Sequence, residues 1–162
     1  MGEFKMIKLV RVDHRLLHGQ VAVSWFNSLG ANTILVANDA VASDDFRKSA
    51  IRLAKPDNAK LVMKSIEDSI KAINSGVTDK YKMLVVVESV ADASKLIQET
   101  DGKIGELNLG GTKPREGTIN YSKTINLTND EGAQLTQLQQ SGVDVYIQQV
   151  PSEERQEFKK ID

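Results

Sequence analysis

Short apolar runs rich in Val, Ile and Leu alternate along the chain with longer stretches in which apolar positions recur every third or fourth residue. The first pattern predicts strands and the second amphipathic helices. Seven runs qualify as strands: 6–12, 33–37, 59–64, 82–88, 104–109, 123–127 and 144–149. Most are too continuously apolar for a sheet with one wet face, so both faces must be covered. Strands alternating with helices then predict an α/β fold, a three-layer α/β/α sandwich around a mostly parallel central sheet of about six or seven strands.

Helices are predicted over 19–29, 43–53, 65–74, 89–98 and 129–142, with a short charged one over 152–158. Ser65 with Asp68 and Ser89 with Asp92 resemble capping boxes that use Asp for the usual Glu, and Thr128 or Asn129 can cap the next helix. Gly30, Gly76 and Gly142 stand where helices end in a left-handed residue. No repeat, linker or low-complexity tract interrupts the rhythm. A single domain over 6–162 is expected, with residues 1–5 read as either a cloning remnant or a disordered start ahead of a natural start at Met6.

Composition narrows the class. With 21 basic and 22 acidic residues the net charge is -1, which offers no electrostatic surplus for nucleic acid. The absence of cysteine excludes a disulfide framework and thiolate metal sites and fits a reducing compartment. The longest wholly apolar run, 83–87, is far below the about 18 residues that span a bilayer. A cytoplasmic protein is expected.

Two irregular segments follow predicted strands, 13–20 and 110–120, and loops at the carboxyl ends of parallel strands are where α/β sheets bind ligands. The first gathers both histidines of the chain in Asp13, His14, Arg15, His18, Gly19 and Gln20 and runs into a helix whose free N–H groups attract anions. The second, GGTKPREG, supplies Gly110 and Gly111 for close backbone approach and Thr112, Lys113 and Arg115 as donors to an oxyanion. If the two loops converge, their ligand is negatively charged.

Four readings of the histidine loop compete. His14 at a strand end is equally well a satisfied surface group. Asp13, His14 and His18 offer metal-ligand atoms, but Arg15 between them sets a permanent positive charge beside any cation. General acid–base work by His18 with Asp13 as orienter lacks a serine or cysteine nucleophile motif such as G-x-S-x-G. In the fourth reading His18 is itself the nucleophile and carries a phosphoryl group, with Arg15 and the helix N-terminus stabilising the charge. Elsewhere the plain readings suffice: Trp25 shares a helix face with Val21 and Leu29 and packs, while Asn38-Asp39 either forms a turn or contacts the site.

The stretch RVDHRLLHGQV, from Arg11 to Val21, and the later LNLGGTKPREG resemble the signature and the glycine-pair loop of the IIB component of the mannose–fructose–sorbose family of the bacterial phosphoenolpyruvate-dependent sugar phosphotransferase system. The resemblance covers nearly the whole chain from Met6. It implies a protein-histidine–sugar phosphotransferase that needs no cofactor or metal, accepts a phosphoryl group from the phosphohistidine of a IIA phosphocarrier domain, and passes it to a hexose-type sugar. Membrane IIC and IID subunits are the implied further partners, which places the protein in the cytoplasm at the membrane periphery. The implied phosphohistidine is His18, the one before Gly-Gln, with Arg15 and Asp13 as the motif arginine and aspartate. His14 stands where many members have a second aspartate. His14, Gly19, Gln20, Gly110, Gly111, Thr112, Lys113 and Arg115 are then candidates for phosphate binding or partner docking. The rival reading is a phospho-ligand-binding or regulatory module with no covalent step.

Overall fold

The computed structural model describes residues 7–162, so the expectations for residues 1–5 and for Met6 lie outside the described residues. In chain order the elements are β1 (Ile7–Asp13), α1 (Gly19–Leu29), β2 (Thr33–Ala37), α2 (Asp39–Ala42), α3 (Asp45–Leu53), β3 (Lys60–Lys64), α4 (Ile66–Ser75) and β4 (Met83–Val87). They continue as α5 (Val90–Gln98), β5 (Glu106–Gly111), β6 (Ile119–Asn120), β7 (Asn126–Leu127), α6 (Asn129–Gln140), β8 (Asp144–Ile147) and β9 (Gln156–Glu157).

The central sheet has seven strands in the order β3-β2-β4-β1-β5-β8-β9. The first six are parallel and β9 is antiparallel to β8. Apolar runs that look uniform in sequence divide between two cores by strand alternation. In β4, Met83, Val85 and Val87 join the core under α4, α5 and α6, whereas Leu84 and Val86 join the one under α1 and α3. That is the three-layer sandwich the sequence predicts, and it places β1 centrally, between β4 and β5.

Helix ends follow the predicted chemistry. Ser65 and Ser89 accept from the amides of Asp68 and Asp92, and Thr128 with Glu131 closes a full capping box. Three expectations are corrected. The segment 152–158 is not a helix: Arg155 grips both oxygens of Asp144 at 2.7 Å, the Phe158 amide donates to Val145 O, and the buried Phe158 ring stacks on Tyr121, which together draw the chain out as β9. The segment 123–127 is not in the central sheet, because β8 takes the place beside β5 and β7 pairs instead with β6 in a separate ribbon. Residues 38–44 hold an unforeseen helical turn, α2, capped by Asn38 Oδ1, and α3 starts only after its cap Asp44. Asp39 caps as well, accepting from the Ile66 amide, so Asn38-Asp39 serves local structure.

Tyr146 of β8 is buried on the α1 side of the sheet with the Arg155 guanidinium 3.7 Å over its ring, and burial pushes its phenol up to about 12. A phenol held neutral stabilises the fold fully below its ordinary value of about 10, and that contribution is lost as the pH rises through about 12. Denaturant unfolding between those limits should show Tyr146→Phe losing about 1 kcal/mol less stability than the parent chain. Parallel loss in both proteins would refute the assignment.

Candidate functional site

The connection leaving β1 crosses to β2 through α1 on one face of the sheet, while β4 and β5 send theirs through α5 and α6 on the other. Neighbouring strands whose connections part in this way leave a crevice at their carboxyl ends. Both predicted loops open there, and they touch directly: the His14 amide donates to Gly111 O at 2.9 Å.

The local register explains how the crevice is furnished. Val12 pairs with Leu109 but Asp13 pairs with Gly111, so Gly110 is an extra residue in β5, a bulge beside the site. Arg11 uses the room this makes. A Cβ on Gly110 would lie 2.1 Å from Arg11 Cζ, so only glycine leaves space for the guanidinium.

Arg11 is buried and donates through Nη1 to Asn108 Oδ1 and Gln148 O and through Nη2 to Asp13 Oδ2 at 3.3 Å. Its guanidinium also lies 5.4 Å from the ring centre of Trp25 in α1, whose Nε1 donates to Gln149 O. Burial lowers the Arg11 pKa from its ordinary value, and the adjacent Asp13 carboxylate opposes that shift. The residues just past β8 thus hold both Arg11 and α1.

Asp13 is the hub. Its Oδ1 accepts from the Arg15 backbone amide at 2.9 Å and from Arg15 Nε at 3.2 Å, and its Oδ2 accepts from Arg15 Nη2 as well as from Arg11. A carboxylate so occupied has little left to offer a cation, and two guanidiniums around it leave the cluster positive. Arg15 is held at the mouth of the loop, with no partner for its Nη1 among the described residues.

Beyond Arg15 the loop is anchored by the buried side chains of Leu16 and Leu17, and Leu16 adopts a left-handed φ of 60°. Such a backbone in a non-glycine residue costs of order 1 kcal/mol and is sustained here by the burial around it. His18 follows as the N-cap of α1, exposed, with no hydrogen bond from its side chain to the helix. Gly19 has φ 49°, a turn that leaves the exposed first residues of α1 beside the imidazole.

The second loop is divided. Thr112 is buried and its hydroxyl donates to Asn126 O and accepts from the Asn126 amide, both at 2.7 Å, so its proton is spent on joining β5 to β7 rather than on a ligand. Arg115 pairs with Glu131 at 2.8 Å, while Lys113 is exposed without an ion-pair partner among the described residues. Both line a hollow of about 300 Å³ together with His14, Glu88, Thr112 and Glu131; His18 does not line it. His14 Nδ1 is buried without a hydrogen bond, 4.0 Å from Asp13 Oδ1. The loops converge, then, through His14 and Gly111.

Sequence reasoning missed Arg11, Asn108 and the carbonyls of Gln148 and Gln149. Two of these left a signal, because Arg11 and Asn108 are polar residues inside apolar strands and are direct partners in register.

Known proteins share this architecture. A family model described as the PTS system sorbose subfamily IIB component matches residues 7–161. N-acetylgalactosamine-specific phosphotransferase enzyme IIB component 2 of Escherichia coli strain K12 is 30% identical over 155 residues, which is 96% of this chain and 98% of that protein. A probable phosphotransferase enzyme IIB component of Streptococcus pyogenes serotype M6 is 42% identical over 94 residues, and there the match spans 58% of either chain. The crystal structure of the PTS system N-acetylgalactosamine-specific IIB component 1 from Escherichia coli superposes with a TM-score of 0.87 at 27% identity, covering 94% of this chain and 99% of that one.

Proposed function

Because the chain belongs to the sorbose subfamily of IIB components of the sugar phosphotransferase system, we propose that His18 is the residue that carries the phosphoryl group. A IIB component is a phosphotransferase of a sugar uptake system, so its carrier must be a nucleophile open to partners. Cysteine is absent from the chain. The observation that supports His18 is its placement: exposed, at the N-cap of α1, its imidazole unspent, three residues after an arginine that Asp13 holds in place.

In the first step the lone pair of a neutral His18 ring nitrogen attacks the phosphorus of the IIA phosphohistidine, and the donor N–P bond breaks as the new one forms. Arg15 and the first amides of α1, those of Gly19 and Gln20, face the charge on the transferring oxygens. Donor and acceptor are both imidazoles, so the transfer is close to balanced and the protein's work is alignment. In the second step a hydroxyl oxygen of a hexose-type sugar attacks, the His18 N–P bond breaks, and the hydroxyl proton ends on the released imidazole, which restores neutral His18.

Lys113, set at the rim of the hollow, serves docking of the IIA protein, and Arg115 acts with it from its pair with Glu131. The membrane IIC and IID subunits would bring the sugar, with this protein at the cytoplasmic face; among the described residues no helix is long and apolar enough to cross a membrane.

Incubation with phosphoenolpyruvate, the general phosphotransfer proteins and a IIA partner should add one acid-labile phosphoryl group, seen by mass spectrometry on the peptide containing His18. A rival is favoured by the hollow beside His14: a phospho-ligand module would bind a sugar phosphate at equilibrium and take up no label. Arg15→Lys should fold normally yet accept phosphate at least about tenfold more slowly, because an ammonium cannot both hold Asp13 in a fork and face the phosphate. Unchanged single-turnover rates would remove Arg15 from the mechanism.

A further inference from the structure

Helix α3 is amphipathic with its polarity reversed. Ile51 is its buried residue, whereas Phe46 is 84% and Leu53 89% exposed. Phe46, Ser49, Ala50 and Leu53 follow the i, i+3, i+4, i+7 spacing of one helix face, and all four are exposed. A surface helix normally turns such a stripe inward, so this one is built to meet something apolar. Arg47 and Lys48 are half-buried on the sheet side.

The charges flanking the stripe identify the partner. Asp45 at its start and Arg52 at its end lie on the same edge, two turns or about 10 Å apart, both exposed and neither in an ion pair among the described residues. Two copies of α3 packed antiparallel about a two-fold axis bring each Asp45 to the other's Arg52, and each Phe46 to the other's Leu53. Like edges face each other in such a pairing, so both ion pairs form at once. The axis passes between Ser49 and Ala50, whose small side chains permit close approach at the crossing.

We propose that this face of α3 is a self-association surface through which two copies of the chain form an isologous dimer. The contact is one short helix per copy, less than the roughly 800 Å² per partner of stable complexes, which makes the dimer a reversible one. It leaves the phosphotransfer site free. Helix α3 lies in the connection from β2 to the edge strand β3 and adds Ile51 to the core on the α1 side, and β4 separates β2 from β1 and its histidine loop.

The absence of native cysteine makes the test direct. Ala50→Cys should form a covalent dimer under mild oxidation, whereas Val77→Cys, at an exposed apolar site elsewhere, should stay monomeric at the same concentration. In sedimentation equilibrium from micromolar to millimolar protein, the parent chain should dimerise with concentration and Phe46→Glu should not. Asp45→Arg or Arg52→Asp alone should weaken the dimer about tenfold, and the two together should recover most of that loss. Circular dichroism confirms that each variant keeps its fold. A parent chain monomeric up to millimolar, equal cross-linking of the two cysteine variants, or a double swap no better than the singles would each overturn the proposal. So would Phe46-dependent binding of the monomer to anionic vesicles, which would assign the face to lipid.

Discussion

His18→Ala is expected to take up no acid-labile phosphate from the IIA phosphohistidine, a loss limited only by the detection threshold, while unfolding at the same temperature as the parent. The stability half of this follows from exposure: the imidazole makes no capping hydrogen bond, and its loss leaves no cavity and no orphaned partner. The activity half follows from covalent chemistry. A missing nucleophile cannot be replaced by better alignment, so the first step has no route. His14 is the internal control, because it is the one other imidazole in the chain and sits four residues away. Its amide is tied to Gly111 and its Nδ1 is turned in toward Asp13, so His14→Ala should retain the label. Label that survives in His18→Ala, or that maps to residue 14, would move the carrier and with it the role given to Arg15.

The difference between these two histidines shows what could be read from the residues alone. The strand and helix rhythm is legible because most of the parallel strands are short, largely apolar runs, and capping is local chemistry: Ser65, Ser89 and Thr128 each act on an amide three residues away. Errors fell where long-range contacts decide. Nothing within 152–158 reveals that Arg155 will reach Asp144 or that Phe158 will stack on Tyr121. Likewise the run 123–127 has the composition of a central strand, yet the place beside β5 goes to β8, which lies later in the chain. Short-range pattern cannot settle a competition between strands.

The site divides in the same way. Asp13, Arg15 and His18, the residues proposed to handle the phosphoryl group, lie within six positions of one another, so their spacing is legible in the sequence. Their supports are not, since Arg11 depends on Asn108 of β5 and on the carbonyl of Gln148, just past the end of β8. Gly110 and Gly111 are legible as places of close approach, and the fold shows that the side chains of Arg11, Asp13 and His14 come near them. A glycine in a strand signals close approach by something, and only the fold says by what.

Gly110→Ala should therefore be strongly destabilising. The new Cβ would occupy the space 2.1 Å from Arg11 Cζ, and the guanidinium would have to withdraw from Asn108, Gln148 O and Asp13. Losing the partners of a buried charge costs about 3 kcal/mol, which in a chain of this size lowers the unfolding temperature by about 10 °C. Gly111→Ala is the comparison, for its Cβ would meet Asp13 Oδ1 at 3.3 Å and His14 Nδ1 at 3.4 Å, a crowding that small shifts relieve. It should cost no more than about 1 kcal/mol. Adding Arg11→Met to Gly110→Ala removes the trapped charge and the clash together, so the double variant should be more stable than Gly110→Ala alone. Phosphate uptake should still be slow in that variant, since Asp13 has lost the partner that fixes it and Arg15 takes its position from Asp13. Wild-type stability in Gly110→Ala would break this chain of support at its first link, while restored stability with full activity in the double variant would break it at Asp13.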